Sequence, residues 1–402
     1  MWCRLGYSMI EFGATSPLTI ALFVIILSFV AAILAEKLKV SYTTVLILIG
    51  FTVSFLGISG ELGNIPLDRT IILGLLVPPM IFQAAMRTRY ETFRTVRKTV
   101  LALAIFGVVV SALASGAILN IGLGLPLAAA LTFGVIVSPT DPVSVVNALK
   151  RMRAPERLTT ILETEAYFND ATAVMLYPVA LSVSFSPLHE VGVFAYTLGG
   201  GVVVGLLVSG VAEVLYRLVT EPLAETTFTI VVMFGSYLFA ESLGVSGLVA
   251  VAIAGLYMGN RTMRIAMSEQ TRETMATFWE IVTFVATSFA FLLLSLKADF
   301  RLMVTFSPFI IGACVVMFLS RAISVYPIVG LTSLMGEKIP SSWMKVLAMA
   351  GMRGAVSVAL ALSLPESAFK EEIVAMTFGV ALVSLVVQGE FLRAYLKRSG
   401  VS

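Results

Sequence analysis

The stretch VIVSPTDPVSVV, Val135–Val146, places two prolines and an aspartate inside an otherwise apolar segment. A residue that precedes proline avoids the α-helical region, so Ser138 and Asp141 are pushed toward extended geometry. The segment is therefore predicted to begin as a helix, to unwind at Pro139–Pro142 and to resume as a helix. Asp141 then precedes the amino end of the second half, where a negative charge is favourable.

The composition places this broken helix in a membrane protein. Hydrophobic residues make up 58% of the 402-residue chain and charged residues 13%, against roughly 25% charged residues in soluble domains. Apolar runs of about 20 residues, long enough to cross a bilayer as helices, recur along the chain. We predict thirteen spans, near residues 17–35, 41–57, 69–86, 99–119, 126–148, 158–184, 191–216, 224–243, 246–259, 275–296, 307–331, 343–364 and 373–392.

Lysine and arginine residues indicate the orientation of these spans, because they gather in cytoplasmic loops. With the N-terminus outside and the C-terminus in the cytoplasm, most of the 27 basic residues fall in inner segments. The net charge of +3 then reflects orientation in a lipid bilayer and not a nucleic-acid surface. Short loops and a short tail predict one membrane domain over residues 1–402, without a soluble regulatory domain, in a multi-pass protein of a prokaryotic plasma (inner) membrane.

A second polar interruption, AGMRGAVS at Ala350–Ser357, lies in the twelfth predicted span. Spans 5 and 12 are seven spans apart and run in opposite directions, which is the pattern of an inverted repeat. Unwound backbone at membrane depth is tolerated only inside protein or against a wet cavity. We therefore predict an all-α polytopic membrane protein of about 13 transmembrane helices, with inverted repeats whose broken helices 5 and 12 cross at the bilayer midplane.

Span 6 adds ionisable residues at membrane depth. Asp170 lies about 18 Å from the inner end of this helix, close to the midplane, where an ionised carboxylate must be paired, bind a metal ion or be protonated. Glu165 and Asn169 are four residues apart and share a helix face, whereas Asp170 is turned away from Asn169. We predict that Glu165, with Asn169, meets Arg353 or Arg321 in a structural ion pair. Asp170 is then free for a cation or a proton.

Oxygen ligands from carboxylate, hydroxyl and carbonyl groups suit a hard cation. Thr140, Asp170 and the freed carbonyls of span 5 supply such ligands, so we predict that they form a cation site. Glu163 lies beneath Asp170 on the same helix face. It either lines an inner vestibule or lies at the level of the lipid headgroups.

Three motifs together resemble one family. SPTDPVSVV (Ser138–Val146), ETEAYFNDATAVMLY (Glu163–Tyr177) and GMRGAVSVALAL (Gly351–Leu362) are similar to motifs of the monovalent cation:proton antiporters, which include NhaP-type proteins and animal sodium/proton exchangers. Weaker similarities follow the family's order from span 3 to span 12. The resemblance implies a homodimer with a role in pH homeostasis. It also implies a core bundle, including the spans near 126–184 and 307–364, that moves against a dimerisation part made of the remaining spans.

The resemblance also implies roles for single residues. Thr140 and Asp141 match one motif pair of the site, and Asn169 and Asp170 match the other. Asp170 is the implied shared site for the cation and the proton. The supporting residues that match the family are Glu165, Arg353 and Arg321.

Two positions depart from the family pattern. Gln83 stands where relatives often have an acidic residue in span 3, and Ala166 stands where many have serine. Each change removes an oxygen ligand from the neighbourhood of the site, and Gln83 is expected to line the vestibule. The preferred cation is therefore left open by the sequence.

We predict a secondary transporter that exchanges Na⁺, or alternatively Li⁺ or K⁺, for H⁺ by alternating access. Because the amide of Asn169 does not titrate, the exchange is predicted to be electroneutral, one cation for one proton. The alternatives are an organic-anion symporter of similar fold, a cation channel and a non-transporting membrane protein. The sequence contains no metal-ligand cluster, phosphate-binding loop or nucleophile–base pair, so neither an enzyme activity nor a cofactor is predicted.

Overall fold

A computed structural model describes residues 17–56, 69–141, 143–182, 187–219, 221–265 and 267–399. Every regular element in these residues is a helix. The N-terminal segment, Pro142, the C-terminal end and the predicted span ends at 57 and 183–184 lie outside the described residues. In chain order the helices are α1 (Pro17–Leu38), α2 (Tyr42–Phe55), α3 (69–87), α4 (Tyr90–Arg94), α5 (97–123), α6 (Leu127–Ile136), α7 (Val143–Arg151), α8 (Glu156–Leu181), α9 (Pro187–Tyr216), α10 (Pro222–Ser242), α11 (247–265), α12 (Glu269–Leu296), α13 (Phe300–Thr305), α14 (Ser307–Leu334), α15 (Ser341–Met349), α16 (Ala355–Leu362) and α17 (370–399).

The helices confirm the predicted all-α membrane architecture. Seven of them are long and apolar enough to cross a membrane, namely α1, α5, α9, α10, α12, α14 and α17. Each predicted span coincides with one helix or, for spans 5 and 12, with a pair of short helices, α6–α7 and α15–α16. The count of thirteen crossings stays a prediction.

Four of the long helices contain a π-helical turn. These turns are Ile72–Leu76 in α3, Leu103–Gly107 in α5, Met258–Thr262 in α11 and Ser384–Gln388 in α17. Single π-helical turns often occur at functional sites. The turn in α17 contacts the candidate site described below.

The helices pack in two groups. The core bundle consists of α5–α8 and α14–α17, and the flanking bundle consists of α1–α3 and α9–α12. Close backbone approach holds each group together. A Cβ atom at Gly134 of α6 would lie 2.4 Å from the carbonyl oxygen of Ala112 in α5, and one at Gly255 of α11 would lie 2.6 Å from that of Phe82 in α3.

By their contacts α5 and α17 belong to the core bundle, and the predicted division into a core bundle and a dimerisation part stays a prediction. Helix α5 packs against α6 and α14, and α17 packs against α14 and α16. The packing follows the repeat. In each half a continuous helix precedes the broken helix and another follows it.

The basic loops meet at one end of the bundle, which we call the basic end. Asn260 Nδ2 donates to the carbonyl oxygen of Thr88 over 2.7 Å, and Arg264 lies 3.2 Å from Glu91. The carboxylate of Glu337, before α15, accepts hydrogen bonds from the backbone amides of Lys98 and Thr99 at the start of α5, each over 2.9 Å. Helices α5 and α15 therefore begin at the same end, and the two broken helices run in opposite directions.

Candidate functional site

The first break lies where the prolines predict it. Helix α6 ends at Ile136, residues 137–141 are not helical, and α7 begins at Val143. The Ser138 hydroxyl donates to the carbonyl oxygen of Val135 over 2.7 Å, at the end of α6. Asp141 Oδ1 accepts a hydrogen bond from the backbone amide of Val143 over 3.0 Å, at the start of α7. The carboxylate therefore caps the amino end of a helix, as the sequence predicts.

The second break crosses the first. Helix α15 ends at Met349 and α16 begins at Ala355. The backbone amide of Asp141 donates to the carbonyl oxygen of Met352 over 2.7 Å, which joins the two unwound segments directly. This contact needs a residue without a side chain at Gly354, because a Cβ atom there would lie 2.6 Å from the Cβ atom of Asp141.

Replacing Gly354 by alanine should force the two breaks apart. Since overpacking of a filled interior costs about 1–3 kcal/mol, we expect the variant to unfold at a lower temperature than the wild type. The measurement is thermal unfolding of the purified protein in detergent. Gly389→Ala is the matched control, because its Cβ atom would contact only Met352 Sδ at an ordinary 3.5 Å. Equal stability of the two variants would contradict the tight crossing.

Two residues of α17 support the second break and were missed in the sequence. Ser384 Oγ accepts a hydrogen bond from the backbone amide of Arg353 over 3.0 Å, and Gln388 Nε2 donates to the carbonyl oxygen of Met349 over 2.6 Å. Both side chains are buried in the π-helical turn. In the sequence, Ser384 and Gln388 could have been found as polar residues inside the last apolar span.

Asn169 holds the first break in place. Its Nδ2 atom donates to Thr140 Oγ1 over 2.8 Å, and its Oδ1 atom accepts a hydrogen bond from the Thr140 backbone amide over 3.3 Å. The prediction that Asn169 joins Glu165 in contacting an arginine is therefore wrong, because the amide of Asn169 binds Thr140 instead. Because Asn169 uses both ends of its amide, the side chain and backbone of Thr140 are fixed relative to α8.

Asp170 lies next in sequence and faces a cavity. The cavity has a volume of about 670 Å³ and reaches from residues of the basic end, Lys39 and Arg87, to Asp170. Thr140, Asp141, Gln83 and Ala166 also line it. The structure thus brings Thr140, Asp141, Asp170 and both departing positions to one cavity, while Asn169 is buried and bonded to Thr140.

The Asp170 carboxylate makes no hydrogen bond or ion pair with any described residue. No three acidic, histidine or cysteine side chains converge on a common point within the described ranges. A cation at Asp170 would therefore be held by few charges and by neutral oxygens, among which Thr140 Oγ1 and the carbonyls of the first break are the available ones. Such a ligand set suits a hard cation that binds reversibly.

Glu165 faces away from this cavity and pairs with Arg321. Arg321 Nη1 lies 2.5 Å from Glu165 Oε1, and Nη2 lies 2.9 Å from Oε2. Arg321 Nε also donates to the carbonyl oxygen of Leu347 over 3.3 Å. The side chains are 6% and 1% exposed. This buried bidentate pair links α8, α14 and α15. Of the two arginines that the sequence allows as partners of Glu165, the structure therefore pairs Arg321 with it.

Arg353 is buried beside the crossing without such a partner. Its side chain is fully buried, and none of its guanidinium nitrogens finds a hydrogen-bond acceptor among the described residues. Arg321 and Glu165 are its electrostatic neighbours. The guanidinium therefore adds a positive charge to the core bundle close to the pair.

Glu163 lines the cavity between its mouth and Asp170. Lys150 Nζ lies 2.5 Å from Glu163 Oε1, and both side chains line the cavity. Of the two locations that the sequence left open for Glu163, the cavity wall is therefore the one observed.

A second cavity opens at the opposite end. Its volume is about 660 Å³, and Leu73 of α3, Val174 of α8 and Glu241 of α10 are among its lining residues. Val174 is one helical turn, about 6 Å, beyond Asp170 on α8. A cavity thus lies between the core and flanking bundles at each end, and along α8 the lining residues Asp170 and Val174 of the two cavities are about one helical turn apart.

Crossed helix breaks with an unpartnered carboxylate at the end of a cavity define the class of inverted-repeat secondary transporters. Comparison with known proteins agrees. The family model described as "Sodium/hydrogen exchanger, transmembrane" matches residues 24–398, and the chain belongs to that family.

Individual relatives agree with this assignment, and a solved structure shares the fold. The Na⁺/H⁺ antiporter ApNhaP of Aphanothece halophytica is 33% identical over 371 residues, which cover 90% of this chain and 70% of the relative. The Na⁺/H⁺ antiporter NhaH of Halobacillus aidingensis is 33% identical over 343 residues, or 82% of this chain and 83% of the relative. The fold matches the sodium proton antiporter MjNhaP1 of Methanocaldococcus jannaschii with a TM-score of 0.78, at 24% identity over 94% of this chain and 98% of that one.

Proposed function

We propose that this protein exchanges Na⁺ for H⁺ across a membrane, with Asp170 as the group that binds either ion. Membership of the exchanger family and the names of its relatives support the exchange. The observation that carries the site is the Asp170 carboxylate, which lacks a described partner and lies in the cavity beside the crossed breaks. Li⁺ and K⁺ are alternative cations.

Competition for one carboxylate couples the two ions. Ionised Asp170 offers oxygen ligands to Na⁺, together with Thr140 Oγ1 and backbone carbonyl groups of the first break. Protonated Asp170 is neutral and binds the cation poorly. Asn169 contributes by fixing Thr140, and Asp141 contributes by capping α7 and lining the cavity. Each ion therefore leaves as the other arrives.

The two cavities support alternating access. In the conformation described, Asp170 faces the cavity of the basic end, and the opposite cavity begins about one helical turn beyond it. A displacement of the core bundle against the flanking bundle by about that distance would transfer Asp170 to the opposite cavity. We assign the basic end to the cytoplasm, because basic loops gather there.

The surrounding carboxylates support electroneutral exchange. Asn169 carries an amide, which does not titrate. Glu165 is paired with Arg321, Glu163 is paired with Lys150, and Asp141 caps the amino end of α7. Asp170 is therefore proposed as the single group that exchanges its proton for a cation. One Na⁺ then crosses for one H⁺, and no net charge moves.

A membrane potential should therefore neither drive nor slow the exchange. The test uses proteoliposomes with equal pH and equal Na⁺ on both sides and a K⁺ diffusion potential set by valinomycin. We expect no pH change when the potential is imposed and a rapid pH change when a Na⁺ gradient is imposed. A pH gradient generated by the potential alone would contradict one-for-one exchange. The Na⁺ gradient arm tests the exchange itself.

An organic-anion symporter is disfavoured by the carboxylates of Asp141 and Asp170 at the crossed breaks, and a channel would need a continuous selectivity filter. We further propose a homodimer in the plasma membrane, with the N-terminus outside and the C-terminus in the cytoplasm, that serves pH homeostasis. These proposals rest on the family resemblance and on the distribution of the basic residues.

A further inference from the structure

Glu163 lies on the path that a cation would take from the basic end to Asp170. The two residues are seven positions apart on α8, so they share a face and are separated by about 10 Å along the helix. Both line the same cavity. A carboxylate at this depth is a suitable ligand for a hard cation on its way to the site.

The amine of Lys150 occupies that carboxylate. Lys150 lies near the end of α7, the half-helix that begins beside Asp141, and its Nζ atom is 2.5 Å from Glu163 Oε1. The Lys150 side chain is 50% exposed and that of Glu163 is 21% exposed. An ion pair so exposed to water is weak, and its interaction changes an equilibrium constant by a factor of about two to five. A cation in the cavity can therefore displace the ammonium group.

We propose that Glu163 is a waiting site for the transported cation and that Lys150 is a tethered competitor for it. This inference rests on the proposed function and deepens it. An arriving Na⁺ displaces the ammonium group from Glu163, waits there and passes on to Asp170. Lys150 then returns to Glu163, so the cation is not trapped at the mouth. The Lys150–Glu163 pair thereby sets the cation concentration at which the cavity of the basic end binds its cation.

The cavity provides a matched control pair. Arg87 and Glu280 also line its wall, and Arg87 Nη2 lies 2.7 Å from Glu280 Oε1. Both side chains of this pair are well exposed, at 43% and 63%. Arg87→Gln therefore removes a positive charge from the same wall without freeing Glu163. It distinguishes a specific competitor from the general positive potential of the basic end.

The experiment measures Na⁺-dependent proton movement in everted membrane vesicles, in which the proposed cytoplasmic end faces the added cation. Lys150→Gln should lower the apparent KM for Na⁺ by about two- to fivefold, and Glu163→Gln should raise it by a similar factor. The double variant should have the same apparent KM for Na⁺ as Glu163→Gln, because without the Glu163 carboxylate Lys150 no longer competes with the cation. Lys150→Arg, which keeps the charge, should stay near the wild-type KM.

Three results would overturn the inference: an unchanged or raised KM in Lys150→Gln, an equal fall in Arg87→Gln, or additive effects in the double variant. Calorimetric titration of the purified variants with NaCl, at ionic strength held constant with choline chloride, should give the same order of affinities without transport. Absence of exchange in wild-type vesicles would instead contradict the proposed function. The order of Na⁺ affinities would still decide the role of Lys150.

Discussion

Replacing Asp170 by asparagine should reduce Na⁺-dependent proton movement to the level of vesicles that lack the protein. The amide has nearly the shape of the carboxyl group but neither ionises nor carries a proton to exchange. The other carboxylates near the site have partners, since Asp141 caps α7, Glu163 contacts Lys150 and Glu165 contacts Arg321. Only Asp170 lies beside the crossed breaks without a described partner, so none of the others is expected to replace it. The measurement is fluorescence dequenching in everted vesicles after addition of Na⁺.

The controls separate loss of chemistry from loss of fold. Asn147→Ala removes a different polar group from the wall of the same cavity, and we expect its exchange to stay close to that of the wild type. Asp170→Asn should retain the wild-type elution profile and thermal stability, because the carboxylate makes no hydrogen bond or ion pair with the described residues that its loss would break. Clear Na⁺-dependent flux in a folded Asp170→Asn protein would exclude Asp170 as the shared site.

The fold could be predicted in large part because its main signals are local. Proline restricts the residue before it, so the break between Ile136 and Val143 follows from Pro139 and Pro142 alone. Apolar length likewise locates the helices. The packing of α5 and α17 in the core bundle depends on contacts between distant spans, which local hydropathy does not specify.

Partners of the site residues were harder to predict. Arg321 and Arg353 both lie in predicted spans, and the sequence alone does not say which reaches Glu165. The structure gives Arg321 that position and leaves Arg353 without a described acceptor. Asn169 shares a helix face with Glu165. The unwound segment of the first break nevertheless packs against the turn of α8 that carries Asn169, so Thr140 is the partner of Asn169.

Side chains near predicted boundaries were missed for a different reason. Lys150 lies two residues beyond the predicted end of span 5 at residue 148, but α7 continues to Arg151 and places the lysine on the cavity wall. Ser384 and Gln388 are single polar residues in an apolar span. Their role depends on a π-helical turn against the second break, which apolar periodicity does not predict.

Removing one member of the Glu165–Arg321 pair should strongly destabilise the protein. The pair is bidentate and almost fully buried, and a buried charge that loses its partner typically costs about 3–5 kcal/mol. Glu165→Ala should cost more than Arg321→Ala. The first variant leaves Arg321 and Arg353 without a nearby anion, whereas the second leaves Glu165 beside Arg353, which has no described acceptor. The measurement is thermal unfolding of each purified variant.

The double variant Glu165→Leu/Arg321→Met distinguishes a structural pair from a part of the cation site. Replacing both charges by apolar side chains of similar volume is often neutral or stabilising, so the double variant should recover much of the stability that Glu165→Ala loses. Arg353 has no nearby anion in the double variant, so the stability should recover only in part. Because the pair faces away from the cavity that Asp170 lines, Na⁺ affinity measured by calorimetry should change little. Unchanged stability with weakened Na⁺ binding in Glu165→Ala would assign Glu165 to the cation site instead.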